Sequence, residues 1–240
     1  MTNLLYQTNS YLQTFEAKVL ATDRENHAVI LDQTAFYPGG GGQPGDTGEL
    51  TITGHLYEVI KVKKSAEEIL HFIRDNEPLP PIGTAIRGQI SWPRRYQLMR
   101  THTALHILCG VVFRDYGAQV TGGDMDPLKG RMDFEFETMQ KELVQEIERS
   151  INREVHAARD VRVQILPREE AFMIPDLIRT KINLLPEGIM QIRTVEIVGL
   201  DLQADGGTHV ANTSEVGSLH VVDYKSKGKI NKRLYIEMDE

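Results

Sequence analysis

Apolar and polar positions alternate along much of residues 1–90, with the period of two that half-buried β-strands produce. The alternation is clearest in residues 17–23, 27–37 and 51–64, and one more strand-like run covers residues 85–92. A glycine-rich stretch, residues 39–48, and a proline-rich stretch, residues 77–83, separate these runs. Short strands joined by such turns are typical of a small barrel or sandwich, and we place the end of this domain near Trp92.

The period changes to that of helices after Trp92. Residues 94–116 carry apolar residues and two histidines at spacings of three and four, and residues 138–158 form a second amphipathic pattern. The apolar stripe of this second pattern consists of Met139, Leu143, Ile147, Ile151 and Val155. A short helix is predicted at residues 168–178, and strands are predicted at residues 190–200, 218–224 and 232–238.

This order of elements lacks the regular βαβ alternation of parallel α/β proteins. The sequence therefore predicts an α+β fold. A small N-terminal β-barrel domain with the glycine-rich loop is expected at residues 1–92. An α/β domain with a mainly antiparallel sheet and helices is expected at residues 93–240.

The composition is that of an ordinary globular protein. Hydrophobic residues make up 40% and charged residues 25% of the 240 residues, a mix typical of soluble domains. No apolar run approaches the ~20 residues that cross a bilayer, and the N-terminus lacks the features of a signal peptide. A single cysteine, Cys109, excludes an intrachain disulfide. We therefore expect a cytoplasmic protein without membrane contact, and the sequence predicts no oligomeric state.

The charge distribution favours contact with RNA at one face at most. The formal net charge of −7 argues against a general nucleic-acid binder. Five of the nine residues from 225 to 233 are Lys or Arg, and three more arginines precede the first histidine pair at Arg94, Arg95 and Arg100. A solvated turn explains either cluster as well, so both interpretations stay open at this point.

Two pairs of residues have the spacing of metal ligands. His102 and His106 are four apart on a predicted helix, so both imidazoles leave the same face. Asp205 and His209 are also four apart, but two glycines at 206–207 predict a tight turn with positive φ. Three imidazoles with a carboxylate or a water suit Zn²⁺. Because structural zinc sites usually fill every position, often with cysteine, this set favours a catalytic or substrate-positioning zinc.

Cys109 is an alternative fourth ligand. It lies seven residues beyond His102 on the same predicted helical face. It also lies in an apolar string, residues 107–111, where free cysteine behaves as a small hydrophobic side chain. Core packing is the favoured interpretation. No side chain is assigned as the catalytic group, and a metal-bound water is the favoured nucleophile.

The glycine-rich segment, residues 36–48 (FYPGGGGQPGDTG), matches no common phosphate-binding motif. No Lys-Ser/Thr follows it, which excludes a P-loop, and no helix follows it, which excludes a dinucleotide fingerprint. Four consecutive glycines let a backbone approach a ligand closely, and Thr34, Gln43 and Asp46 add hydrogen-bonding groups. A substrate-facing loop and a plain hairpin turn both remain open.

Five ordered segments resemble the AlaX family, the free-standing relatives of the alanyl-tRNA synthetase editing domain. They are residues 31–48 (LDQTAFYPGGGGQPGDTG), 94–108 (RRYQLMRTHTALHIL), 129–136 (KGRMDFEF), 201–217 (DLQADGGTHVANTSEVG) and 225–238 (KSKGKINKRLYIEM). They span nearly the whole chain, and no aminoacylation core accompanies them. The resemblance is therefore to the medium-length, stand-alone form.

The resemblance implies a β-barrel followed by a zinc-binding editing domain. It implies a hydrolase that deacylates seryl-tRNA, and in some members glycyl-tRNA, mischarged on alanine tRNA. The implied metal ligands are His102, His106, Asp205 and His209. The implied substrate-binding residues are Thr34, which is associated with the serine hydroxyl, and the loop residues Gly40, Gly41, Gly42 and Gln43.

One position departs from the family pattern, which usually has Cys where this chain has Asp205. Aspartate binds zinc through oxygen and is a harder ligand than a thiolate. A looser zinc site, a three-histidine site completed by water, and an altered metal preference are the open alternatives. The runner-up function is a non-catalytic, zinc-stabilised RNA-binding module. A zinc hydrolase acting on a small ester or amide is a third possibility.

Overall fold

The structure, a computed structural model, describes residues 2–74, 78–180 and 188–240. The chain divides into two compact units, Met1–Tyr96 and Gln97–Glu240. The division falls inside a long helix that begins at Trp92, the residue at which the sequence pattern changes. Within the described ranges, no helix is both long and apolar enough to cross a membrane.

The first unit is a closed β-barrel. Its strands are β1 (Asn3–Leu4), β2 (Thr14–Asp23), β3 (Ala28–Leu31), β4 (Gln33–Thr34), β5 (Gly48–Ile52), β6 (His55–Ser65), β7 (Glu68–Ile73) and β8 (Ala85–Ile90). Six of them close in the order β2-β3-β7-β6-β5-β8, and every neighbouring pair is antiparallel. The short strands β1 and β4 form a separate parallel pair. The predicted small N-terminal barrel is confirmed.

Alternate side chains of the barrel strands fill its interior, as the period of two requires. Phe15 of β2 and Phe36, which follows β4, meet edge to face with ring centroids 5.8 Å apart. Gly88 of β8 is required beneath the Phe15 ring, because a β-carbon there would overlap the ring. The interior is otherwise filled by aliphatic side chains such as Val19, Leu31 and Leu50.

One buried arginine ties the glycine-rich loop to the rest of the barrel unit. The Arg95 side chain has no solvent exposure and forms a buried ion pair with Asp46. Its guanidinium also donates to the carbonyl oxygens of Ser10 (3.0 Å) and Ala35 (2.7 Å). Asp46 in turn accepts from the Tyr37 amide at 2.6 Å. Arg95 therefore lies neither in a solvated turn nor on a surface open to RNA, which corrects both interpretations of this position.

Of the α-helices in the described chain, the second unit contains two whole helices and most of the third. Its elements are α1 (Trp92–Tyr116, which begins in the first unit), β9 (Val120–Asp126), β10 (Lys129–Glu135), α2 (Lys141–His156), β11 (Val161–Pro167), α3 (Arg168–Ala171), β12 (Gln191–Ile197), β13 (Asp201–Ala204), β14 (Leu219–Ser226) and β15 (Asn231–Met238). They form two antiparallel sheets, ordered β14-β15-β10-β9 and β11-β12-β13. The predicted α+β class with mainly antiparallel sheets is confirmed.

Two helix predictions were partly wrong. Met139 precedes α2, and Leu143 is only half-buried, because Val144 takes the neighbouring buried position. The buried face of α2 also includes Glu154, whose carboxylate pairs with arginines 114 and 159. The predicted helix at 168–178 ends at Ala171, four residues before a proline that disfavours helical backbone in front of it. Residues 181–187, which lie in the segment between α3 and β12, are outside the described residues.

Replacing Asp46 with Asn should destabilise the barrel strongly. The substitution leaves the Arg95 charge buried without a counter-charge, and breaking a buried pair in this way costs about 3–5 kcal/mol. Urea unfolding of the variant measures the loss. The matched control is Glu58→Gln, which breaks the exposed Glu58–Arg74 pair of the same unit and should cost much less, because exposed ion pairs contribute little to stability. Equal losses of unfolding free energy in the two variants would show that the buried pair contributes no more to stability than the exposed pair.

Candidate metal centre

Three histidines and one aspartate converge in the second unit. His102 and His106 come from α1, and Asp205 and His209 come from the loop that follows β13. Each offers one ligand atom, and these atoms all lie within 4.8 Å of one another. The stacked rings of His102 and His209 have centroids 4.2 Å apart. All three imidazoles are buried, and the Asp205 side chain is 14% exposed. The structure thus brings together the four residues predicted as metal ligands.

The helix can approach the loop because of a glycine. A β-carbon on Gly110 would lie 2.9 Å from Leu200 Cγ and 3.0 Å from Asp201 Cβ, so a larger residue would force α1 away from β13. Gly130 of β10 permits a similar approach on another side of α1, where a β-carbon would lie 3.0 Å from Leu105. These two contacts hold the histidine-bearing face of α1 against the strands.

The turn between Asp205 and His209 is not formed as predicted. Neither Gly206 nor Gly207 has a positive φ. Instead, the Asp205 carboxylate accepts the Gly207 amide at 2.7 Å, so the aspartate side chain itself closes the turn. The same carboxylate lies 3.0 Å from His209 Nε2 and 3.5 Å from His102 Nε2. Asp205 is therefore both a turn residue and a candidate ligand.

Burial and the nearby carboxylates set the protonation of the cluster. Burial lowers the pKa of His102 well below its ordinary value and lowers the pKa of His209 to about 4. Burial acts in the same direction on His106, but Asp201 and Asp205 outweigh it and raise its pKa. Burial alone would raise the pKa of Asp205, yet the surrounding imidazoles hold it well below its usual range. At neutral pH the site therefore offers a carboxylate and two neutral imidazoles to a cation.

Sequence reasoning missed two residues that orient the imidazoles. The Asp201 side chain is fully buried, and its Oδ2 lies 3.2 Å from His106 Nδ1. Thr103 Oγ1 lies 3.1 Å from His209 Nδ1 and accepts the Val210 amide at 3.2 Å. With Nδ1 of both imidazoles facing these oxygens, Nε2 is left to ligate a metal, which is the usual arrangement around metal-bound histidine. Asp201 lies four residues before Asp205, which could have marked it as a candidate site residue. Nothing in the sequence indicated that its partner is His106.

Basic residues balance the buried acids. Arg193 donates to the Asp205 carbonyl at 2.9 Å, and its guanidinium lies 3.7 Å from the Asp205 carboxylate. Arg179 lies 3.3 Å from the other Asp201 oxygen. Gln203 donates to Asp201 at 2.6 Å and to Cys109 Sγ at 3.3 Å. Burial raises the pKa of the Cys109 thiol well above its ordinary value, so this residue resembles a packed core cysteine.

The donor set fits a tetrahedral zinc ion. Zinc bound to nitrogen and oxygen at 2.0–2.2 Å has ligand atoms about 3.3 Å apart. Asp205 Oδ2 lies 3.0 Å from His209 Nε2 and Asp205 Oδ1 lies 3.5 Å from His102 Nε2, both close to this value, and all the ligand atoms lie within 4.8 Å of one another. Three imidazoles and one carboxylate form a donor set that zinc accepts. The residues present therefore fit a zinc ion in their donor chemistry and in their proximity.

The predicted substrate-binding residues all lie in the barrel unit. Gly40, Gly41 and Gly42 have positive φ, as does the preceding Gly39, so only glycine suits this turn. The turn is fixed by two backbone hydrogen bonds between Gly40 and Gln43, at 3.0 and 2.9 Å. Its tip is exposed, whereas Gln43 is buried. A rigid, exposed glycine tip is the geometry that close approach to a ligand requires.

Thr34 is fully buried and belongs to a polar pair that sequence reasoning missed. Its hydroxyl lies 2.8 Å from His71 Nε2 and accepts the Phe36 amide at 3.1 Å. Burial lowers the pKa of His71 to about 4, so this imidazole is neutral. Because His71 Nδ1 faces the Val29 carbonyl at 3.2 Å, Nε2 is the acceptor and Thr34 donates to it. The Thr34 oxygen then has only lone pairs to offer to another group.

Comparison with known proteins places the chain among tRNA synthetase-related domains. Residues 6–94 match the family model of class II (A) tRNA synthetases, and residues 192–235 match that of the threonyl and alanyl tRNA synthetase second additional domain. The chain is also 38% identical, over 92% of its length, to 24% of an alanine–tRNA ligase of Ignicoccus hospitalis. The class of this protein is therefore that of synthetase-related domains.

Full-length relatives narrow the class to one family. The chain is 41% identical to the alanyl-tRNA editing protein AlaX-M of Saccharolobus solfataricus, with 98% of both chains covered. It is 36% identical to the AlaX-M protein of Methanosarcina acetivorans, with 99% of both covered. This chain belongs to the AlaX-M family of alanyl-tRNA editing proteins.

Substitutions at Asp205 should change metal affinity in opposite directions. Asp205→Ala removes an oxygen ligand and should weaken zinc binding by about ten-fold or more, whereas Asp205→Cys supplies a softer thiolate and should strengthen it. Competition with a chromogenic chelator measures both affinities against the wild type. Asp115→Ala, which breaks an exposed ion pair with Arg114 at the end of α1, is the matched control and should leave zinc affinity unchanged. Identical zinc affinities in all four proteins would remove Asp205 from the ligand set.

Proposed function

We propose that this chain hydrolyses the ester bond of alanine tRNA mischarged with serine, and also with glycine, in a zinc-dependent reaction. The single observation that carries the proposal is the buried cluster of three histidines and one aspartate in a member of an alanyl-tRNA editing family. Editing of this kind acts on free aminoacyl-tRNA, so the proposed location is the cytoplasm, where tRNA is charged.

The proposed role of the first group of residues is to bind the metal. His102, His106, His209 and Asp205 would hold the zinc ion. Bound there, zinc supplies Lewis-acid chemistry, which activates water toward hydrolysis or polarises the ester. Because an aminoacyl ester is already reactive, the protein has mainly to position it.

The residues around the ligands would keep the imidazoles and the Asp205 carboxylate oriented toward the metal. Asp201 and Thr103 orient the imidazoles of His106 and His209 through their Nδ1 atoms. Arg193 offsets the negative charge of Asp205 and fixes its backbone carbonyl. Such outer contacts typically contribute ten- to hundred-fold in metal affinity or activity. They require no movement during the reaction, which is what electrostatic preorganisation demands.

Substrate discrimination is proposed for the barrel unit. The exposed glycine tip at Gly40 and Gly41 would accept the substrate backbone, with Gly42 and Gln43 shaping the turn. Thr34 would respond to a serine hydroxyl, because its oxygen has lone pairs for a donor once its own hydrogen is bound by His71. Alanine has no hydroxyl to donate and would lack this hydrogen bond, which is how a site that binds a substrate hydroxyl discriminates against the analogue without it.

The proposal predicts metal-dependent deacylation. Purified, zinc-loaded protein should release serine from seryl-tRNA made on alanine tRNA, and glycine from the glycyl form, while leaving alanyl-tRNA intact. Removing zinc with a chelator should abolish the release, and adding zinc back should restore it, because the four ligands act only through the ion. Release of labelled amino acid over time is the measurement.

The controls separate three outcomes. Full activity after verified zinc removal would contradict the metal's role. Absence of activity with zinc present, together with intact tRNA binding, would support the non-catalytic RNA-binding module. Hydrolysis of small amino-acid esters at the same rate as seryl-tRNA would support a hydrolase without RNA specificity.

Thr34→Val should lower the hydrolysis of seryl-tRNA while leaving zinc content unchanged. Valine keeps the shape but removes the hydroxyl, and a lost buried hydrogen bond costs about 1–3 kcal/mol of stability. Thr34→Ser is the matched control, because it retains the oxygen and should retain activity. Kinetics on seryl-tRNA are compared below the unfolding midpoint of each variant. Unchanged kinetics in Thr34→Val would remove Thr34 from serine recognition.

A further inference from the structure

We propose that the tip of the hairpin formed by β14 and β15 binds the phosphate backbone of the tRNA substrate. The tip carries three exposed lysines, Lys225, Lys227 and Lys229. This inference rests on the proposed function, because it takes an RNA as the substrate. It adds a surface for that RNA beyond the metal cluster and the glycine-rich loop.

The hairpin tip concentrates positive charge in an acidic chain. Residues 225–233 contain five Lys or Arg and no Asp or Glu, although the whole chain has a formal charge of −7. The opposite edge of the same sheet is acidic, with the exposed side chains of Asp124 and Asp126 on β9. A polyanion that approaches this sheet is therefore attracted to the hairpin and repelled from β9.

Two of the five cations are used within the protein. Lys232 is buried, and its ammonium donates to the carbonyl oxygens of Gly228 and Lys229, each at 2.9 Å. Arg233 forms a two-point ion pair with Asp133 at 2.6 and 2.7 Å. The Lys232 ammonium stabilises the turn, and Arg233 connects β15 to β10. These two cations therefore stabilise the conformation and the position of the hairpin tip.

The other three cations project into solvent. Lys225 Nζ lies 3.0 Å from the Asp223 carboxylate, but both side chains are about half exposed, and exposed pairs of this kind are weak. Within the described part of the chain, no ion pair involves Lys227 or Lys229. Phosphates of an RNA backbone can therefore contact these lysines without breaking a buried interaction.

An aromatic ring lies beside one of these lysines. Lys225 Nζ lies 5.0 Å from the centroid of the Tyr235 ring on the neighbouring strand β15. A lysine next to an aromatic ring suits RNA, because phosphates contact the ammonium and unpaired bases stack on the ring.

The test removes the three projecting charges and measures binding to uncharged alanine tRNA. The triple variant K225A/K227A/K229A should raise the Kd by about ten-fold or more near physiological salt. The slope of log Kd against the logarithm of the salt concentration should decrease by about two to three, because each phosphate contact contributes ~0.9 to that slope. Fluorescence anisotropy over a salt series gives both numbers. Unfolding midpoint and zinc content should match the wild type.

The matched control is K61A/K63A/K64A, which removes three exposed lysines from β6 of the barrel. It lowers the net charge equally and should leave the slope unchanged. Equal weakening in both triple variants would show that general charge is responsible and would overturn the hairpin assignment. An unchanged salt slope in the hairpin variant would overturn it as well.

A separate readout distinguishes failure of the surface from failure of the proposed function. If the wild-type protein binds tRNA through the hairpin lysines but releases no serine, the binding surface is supported and the hydrolase activity is contradicted. If the wild-type protein releases serine and the hairpin variant is equally active at low seryl-tRNA concentration, the hydrolase activity is supported and the binding surface is contradicted.

Discussion

Helix α1 packs against the start of β13 with no side chain between them at Gly110. The rest of the candidate metal site depends on this contact. It places His106 opposite Asp201, and it brings both α1 histidines to the loop that carries Asp205 and His209. A β-carbon at position 110 would lie too close to Leu200 and Asp201, so the helix or these residues would have to shift, and four ligands around one ion tolerate little displacement.

Burying so many ionisable groups is costly unless their charges are balanced. Asp201 and Asp205 are balanced by Arg179 and Arg193, and two of the three imidazoles have lowered pKa values because they are buried. The result is a buried cluster in which each carboxylate has a cationic neighbour. A site of this kind gives up part of the stability that an apolar core would provide, and such a cost is common where a protein positions reactive groups.

Local patterns were sufficient to predict much of this structure. The period of two, broken by glycine-rich and proline-rich stretches, predicted the barrel, and the spacing of four predicted that His102 and His106 share a helical face. The family resemblance added the pairing of α1 with the Asp205 loop. The same patterns could not predict Asp201, Thr103 or His71, because each acts through a partner from a distant part of the chain.

Other expectations failed for physical reasons that only packing reveals. Glycines 206 and 207 do not adopt positive φ, because the Asp205 side chain closes the turn. Arg95 looks like one of several surface arginines in the sequence, yet it is the buried counter-ion of Asp46. A charged residue next to other charges gives no indication of burial when its partner lies 49 positions away.

We propose that one zinc ion binds to four specific side chains, and zinc-edge anomalous diffraction from crystals of the zinc-loaded protein tests this proposal. We expect one strong peak within bonding distance of His102, His106, His209 and Asp205, with Cys109 outside that distance. A peak elsewhere, or a peak bound by the Cys109 thiolate in place of Asp205, would contradict this ligand set.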